Sequence, residues 1–246
     1  MALCSGLGAR GQDVYAASEI VAFAHLEFSA MNELSVWISK GIEAATHYFL
    51  EDWWVGDANS SRAVNKADLD RRVRWRLQWY KPFSRGLLLA LLAEDWNAVS
   101  RLSCWVEADL VPEYAGMGGG LEIQVAQIYI VVAASLRSEP MPGLEELSAS
   151  IRKCRTKRPK LLMKTWDAVM AKDQSAFQSA LQASLQHFAD SPKLENDNAR
   201  LGDRLALPQT VIALAAKRHG LLLPELPDEL SLYLITRESL GLPPAA

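Results

Sequence analysis

The residues able to do chemistry are few and scattered. Histidines stand at His25, His47, His187 and His219. No two are three to five residues apart, the spacing that sets two metal ligands on one helix face or turn. His47 has carboxylates within helical reach on both sides, Glu43 and Glu51, one turn either way. Such a face reads first as solvated surface, and no metal is expected. Glu51-Asp52 and Glu145-Glu146 are adjacent pairs. Neighbours on a helix point to different sides, so neither pair converges on one substrate as acid and base. Cys4, Cys104 and Cys154 are far apart and odd in number, with no C-x-x-C pair. A disulfide framework is not expected, and a reducing compartment fits. Cys104, between Leu102 and Trp105, reads as a buried cysteine inside a helix. Gly118-Gly119-Gly120 opens a helix whose N–H groups could meet an anion, but the Lys-Ser/Thr of a phosphate loop is missing. No G-x-S-x-G elbow occurs. The residues therefore predict no catalytic set, no cofactor and no enzyme.

Charge carries more information than these groups do. The chain has 246 residues, half of them hydrophobic, and a net charge of −3. That balance describes an ordinary globular protein with enough apolar residues for a core. The distribution is uneven. Between Asp13 and Asp57 the acids Asp13, Glu19, Glu27, Glu33, Glu43, Glu51, Asp52 and Asp57 are opposed only by Lys40. Two basic blocks follow, one from Arg62 to Arg85 and one from Arg152 to Lys164. The expectation for the basic blocks is solvated faces that pair with the acidic N-terminal region; direct nucleic-acid contact is the weaker alternative. The acidic region suits a different role. A carboxylate-rich surface can occupy a groove whose owner binds phosphates, and charge complementarity speeds that association. Trp53 and Trp54 adjoin Glu51 and Asp52, so one of them is a candidate interface anchor. The candidate binding surface is thus Glu43, Glu51, Asp52, Trp53, Trp54 and Asp57.

The elements that must carry these residues read as helices. Strand alternation and Asn-Gly or Asp-Gly turns are absent. Val14, Ala17, Val21, Ala24 and Phe28 form a helical stripe, as do Leu34, Ile38, Ile42, Ala45 and Phe49. Residues 51–65 read as a loop, and a charged helix is expected from Lys66 to Tyr80. Pro82 suits the first turn of the next helix. Ala93-Glu-Asp95-Trp-Asn-Ala98 and Ala171-Lys-Asp173-Gln-Ser-Ala176 share one layout: an apolar helix, a tight turn, and an Asp able to cap a return helix. Two copies this far apart do not make a solenoid. The segment Leu121–Arg137 is apolar nearly all round and belongs in the centre. Helices are also expected at Leu144–Arg155, Pro159–Ala171, Gln174–Ala189 and Leu205–His219, the last closed by Gly220, with a short one near Leu230. The expected fold is all-α: an irregular bundle of αα-hairpins with about ten helices and no substantial sheet. The expected organisation is one all-helical domain over 1–246, with an acidic helical subregion at 12–61. No apolar run is long enough to span a bilayer and no secretory signal is evident, which predicts a cytoplasmic protein without membrane contact.

The C-terminal stretch Leu205-Ala-Leu-Pro208-Gln-Thr-Val-Ile-Ala-Leu-Ala-Ala-Lys-Arg-His-Gly220, followed by Leu226-Pro227-x-x-Leu230, resembles the end of the all-helical bacterial immunity proteins of the Imm49 type. The hairpin Leu88–Val99 and the stretch Met170-Ala-x-Asp173-x-x-Ala-Phe177 are similar to that family in the same order. The resemblance spans about Arg85 to Ile235. It implies an immunity protein: a partner that binds and neutralises a cognate antibacterial toxin, most often a nuclease delivered by a type VI or contact-dependent system. It implies no catalytic residues. The competing expectation is a helical-repeat protein–protein adaptor.

Overall fold

The computed structural model describes residues 8–26, 33–52, 80–106, 111–116, 120–137, 140–191 and 204–243. All regular structure among them is helical. In chain order the α-helices are α1 (Gly8–Leu26), α2 (Leu34–His47), α3 (Tyr80–Ala93), α4 (Trp96–Ser103), α5 (Val111–Gly116), α6 (Leu121–Ser135), α7 (Leu144–Lys153), α8 (Lys157–Met170), α9 (Gln174–Asp190), α10 (Leu207–Ala216) and α11 (Asp228–Ser231). A π-helical turn, Tyr48–Asp52, continues α2, and a 3₁₀ turn, Lys217–His219, continues α10. The charged helix expected from Lys66 to Tyr80 lies outside the described residues, apart from Tyr80 itself.

The stripes read from spacing are the buried ones. Val14, Ala17, Val21 and Ala24 of α1 are buried, as are Leu34, Ile38, Ile42, Ala45 and Phe49 of α2 and its π turn. Two helices are buried all round. In α3 every residue from Pro82 to Leu92 is buried, and α1, α2, α4, α6 and α10 all pack on it. In α6 every residue from Val125 to Ala134 is buried. The buried apolar side chains join into one cluster. Each fully buried Leu, Ile or Val in it contributes about 1.5–3 kcal/mol of transfer free energy.

Helices α1, α2 and α3 meet through small residues. A Cβ on Gly41 would lie 2.5 Å from Leu89 Cδ1 and 2.7 Å from Ala17 Cβ. A Cβ on Gly86 would lie 2.6 Å from Ala45 Cβ. Both glycines thus let helix backbones approach where no side chain fits.

The two Ala-x-Asp turns share one geometry. Asp95 and Asp173 each accept a hydrogen bond at 2.9 Å, from the backbone N–H of Ala98 and of Ala176. The residues just before them, Glu94 and Lys172, are the non-glycine residues with positive φ among those described, at 55° and 54°. The first helix is closed the same way each time: Asp95 N–H donates to Ala90 O at 3.0 Å and Asp173 N–H to Ala168 O at 3.1 Å. Each Asp cap is worth about 1 kcal/mol, and each left-handed residue costs about 1–2 kcal/mol. Helix α10 contacts the first helix of both hairpins, α3 and α8. Gly220, at φ 82°, ends its 3₁₀ turn as the spacing predicts.

Two elements differ from their expected form. The return helix that Asp95 caps stops at Ser103, one residue short of Cys104, and Cys104 is exposed rather than buried inside it. Leu102 and Trp105 take the inner side, which turns Cys104 outward, its thiol donating to Ser100 O at 3.5 Å. Helix α5 was not anticipated before the glycine run: Val111 and Tyr114 bury its face against α7, too few positions to show a period.

Two predictions follow from these contacts. Gly41→Ala destabilises the protein by about 1–3 kcal/mol in urea unfolding, although alanine gains about 1 kcal/mol of helix propensity. Lys172→Gly stabilises it by about 0.5–1 kcal/mol by relieving a left-handed residue. Glu94→Gly gains less, because Glu94 also holds Lys217 at 2.8 Å.

Candidate functional site

The proposed acidic surface is carried by α2 and the turn that follows. Glu43 is exposed on α2, as is Glu33 just before it. The backbone of Glu51 and Asp52 belongs to the π-helical turn, which extends α2 toward the same end of the helix as Glu43. Trp53, Trp54 and Asp57 lie outside the described residues. The structure therefore places Glu43 on an open face and leaves the anchor tryptophans without a described position.

The rest of the acidic region divides. Asp13 is exposed. Glu19 instead turns inward. Its Oε1 accepts from Arg85 Nη1 at 2.6 Å, and the same guanidinium nitrogen donates to Ser18 Oγ at 2.6 Å. Arg85 also lies over the Tyr15 ring, 4.8 Å from its centroid. Arg85 is 5 % exposed, so its charge is usable in the core only with these partners. One residue of the first basic block is thus structural. A second, Lys81, is exposed and pairs with Glu122 at 3.1 Å. In these two pairs only Glu19 comes from the acidic N-terminal region.

The second basic block behaves differently. Arg152 is held by Glu145 at 2.7 Å and by Asp167 at 2.8 Å, which pushes its already high pKa further up. Arg158 lies over the Phe188 ring, 5.7 Å from the centroid. Lys153, Arg155, Lys157, Lys160 and Lys164 are exposed and make no ion pair among the described residues. Among the described residues this cluster has no partner in the acidic N-terminal region, of which Glu27 and Asp57 lie outside those described. The acid-free run from Arg152 to Lys164 was its signal in the sequence; that the run wraps one corner, at the end of α7 and the start of α8, was not visible there.

The histidines are dispersed. Among the described residues no group of three or more His, Cys, Asp or Glu side chains stands close enough to hold a metal ion. His25 is a structural clasp that spacing did not reveal. It is buried on α1, with Nδ1 2.8 Å from Ser239 Oγ and Nε2 2.8 Å from Leu232 O. A neutral ring satisfies both contacts by donating from Nε2 to the carbonyl and accepting at Nδ1 when the Ser239 hydroxyl turns to it from Thr236 O, 3.0 Å away. Burial lowers its pKa, and the bond to Leu232 O opposes this in part. His219 packs edge-on against Trp166 at 5.5 Å. Its pKa is lowered by burial first, then by Lys172 and Arg218.

Exposed apolar side chains were also not predicted. Leu222 is 76 % exposed, while its backbone is clasped by Gln174: Leu222 N–H donates to Oε1 at 3.0 Å and Nε2 donates to Leu222 O at 3.1 Å. Met170, at the end of α8 in the same hairpin, is half exposed.

No family model, curated protein or solved structure matches the chain. No helix among the described residues is long and apolar enough to cross a membrane.

The two shifted histidines set a pH dependence. Both have folded-state pKa values below the usual 6.5, so the unfolded chain binds protons more readily. Their contribution is complete above pH 6.5 and is lost as pH falls below it. The melting temperature is expected to be level from about pH 7 to 8 and to drop as pH falls from about 6.5 to 5. His219→Gln flattens that drop; a slope unchanged by it would assign the effect elsewhere.

Proposed function

We propose that this protein is an Imm49-type immunity protein: a cytoplasmic, stoichiometric inhibitor of one antibacterial toxin, a nuclease effector of a type VI or contact-dependent system. The observation that carries this reading is the order of motifs along the chain. Two hairpins with Ala-x-Asp turns precede a Leu-Ala-Leu-Pro helix ended by glycine and then a Leu-Pro-x-x-Leu element. Both turns form with the same cap and the same left-handed residue, so each motif belongs to one definite structural element. Binding without chemistry also suits the candidate surface. Carboxylates at Glu43, Glu51, Asp52 and Asp57, with Trp53 or Trp54 as anchor, would meet a groove built for phosphates.

Co-expression with the toxin encoded by the neighbouring gene tests the function. Survival of the cells and a one-to-one complex are expected; killing that persists despite soluble inhibitor would overturn the reading. Many weak partners in a pull-down, with no tight one, would instead indicate the adaptor. The surface has its own test. Glu43→Lys with Asp52→Lys is expected to weaken toxin binding at least about tenfold and to flatten its salt dependence. Unchanged affinity would move the interface elsewhere.

A further inference from the structure

Five cations crowd one corner of the molecule, and no ion pair neutralises them among the described residues. Lys153 ends α7, Arg155 lies in the linking turn, and Lys157, Lys160 and Lys164 run along α8. All five are exposed, and among the described residues none has an ion-pair partner. The run Arg152–Lys164 holds seven cations and no acid on a chain of net charge −3, so the other residues together carry −10. The corner is therefore opposite in sign to the rest of the molecule. Its nearest carboxylates are already engaged, since Glu145 and Asp167 both hold Arg152. The remaining acid of α7, Glu146, lies in the first turn of that helix, two turns away from Lys153. The start of the 14-residue α8 adds its partial positive charge to the same place.

The kind of partner follows from what the corner contains and what it lacks. Four of the five free cations are lysines. A lysine is a mobile point charge that can follow a chain of phosphates without the fixed bidentate geometry of arginine. None of the large exposed hydrophobic side chains lies between residues 152 and 164. A tight protein interface needs such an anchor, and an interfacial membrane helix needs an apolar face. Lys157, Lys160 and Lys164 span about 10 Å of helix axis, which matches about three phosphates along one strand of a duplex. We propose that the α7–α8 corner binds the phosphodiester backbone of nucleic acid without reading its bases. The proposal is independent of the toxin-binding reading and uses a different set of residues.

Fluorescence anisotropy of the full chain with a labelled mixed-sequence DNA duplex tests it. Binding in the micromolar range is expected at low salt, with log affinity falling against log salt at a slope of roughly −3 to −4. Scrambling the sequence should leave affinity unchanged. The combined Lys157→Glu, Lys160→Glu and Lys164→Glu variant should lose binding, and single Lys→Gln changes at these positions should each reduce the slope by about one. Lys172→Gln, a cation in the turn beyond the far end of α8, should change neither. Circular dichroism confirms that the variants fold, and the single variants keep the test decisive if the triple one does not. The proposal is overturned by no binding at low salt, or by full binding in the folded lysine variants. Equal binding to polyglutamate, or binding to phosphatidylserine vesicles but not to the duplex, overturns it as well.

Discussion

Helix α3 is surrounded. Eleven consecutive residues, Pro82 to Leu92, are buried, and five helices pack on them. A helix in that position must be satisfied on every side. Its leucines serve three of those sides. Gly86 serves another, because α2 approaches so closely at Ala45 that a methyl group would not fit. Arg85 is the difficult member. An unpaired buried guanidinium would cost several kcal/mol, so α1 must bring Ser18, Glu19 and Tyr15 to it. The position of α1 is thus fixed from α3 by one charge, and that of α2 by one missing side chain. His25 then ties α1 to Leu232 and Ser239, which brings the C-terminal segment to the N-terminal helix.

The two hairpins solve a separate problem in the same way. Reversing a helix within a few residues requires one residue in the left-handed region and a new acceptor for the N–H groups of the return helix. Glu94 with Asp95, and Lys172 with Asp173, supply these. Neither left-handed residue is glycine, so each turn is held partly against local preference by the helices it joins. Helices α6 and α10 each contact both α3 and α8, so the two hairpins are joined through two shared neighbours.

How much of this was legible depends on how local the physics is. Helix spans, the buried stripes of α1 and α2, the central position of α6, both Asp caps and the Gly220 stop all follow from spacing and short-range hydrogen bonds, and the structure has them. Pairings across the chain left no such trace. Arg85 reads as one more member of a basic block, yet its partner lies 66 residues away. His25 reads as a lone histidine, and its partners lie more than 200 residues away. Cys104 was misplaced because its apolar neighbours suggest burial, while the helix turns it to the far side. Of the candidate binding surface, the acidic character of the exposed α2 face at Glu43 was readable; whether the tryptophans complete it depends on residues outside those described.

The charges fall into two groups with different consequences. Arg85, Lys81, Arg152 and Lys217 each join separate elements through a carboxylate, so the fold uses them. Lys153, Arg155, Lys157, Lys160 and Lys164 join nothing among the described residues. Their mutual repulsion costs stability, a few tenths of a kcal/mol for each like pair one turn apart. No ion pair among the described residues offsets that cost. The nucleic-acid backbone proposed for this corner would supply a compensating interaction, and the exposed acids of α2 would repel the same partner. The two proposed contacts use different residues, so a single molecule can make both without competing for the same side chains.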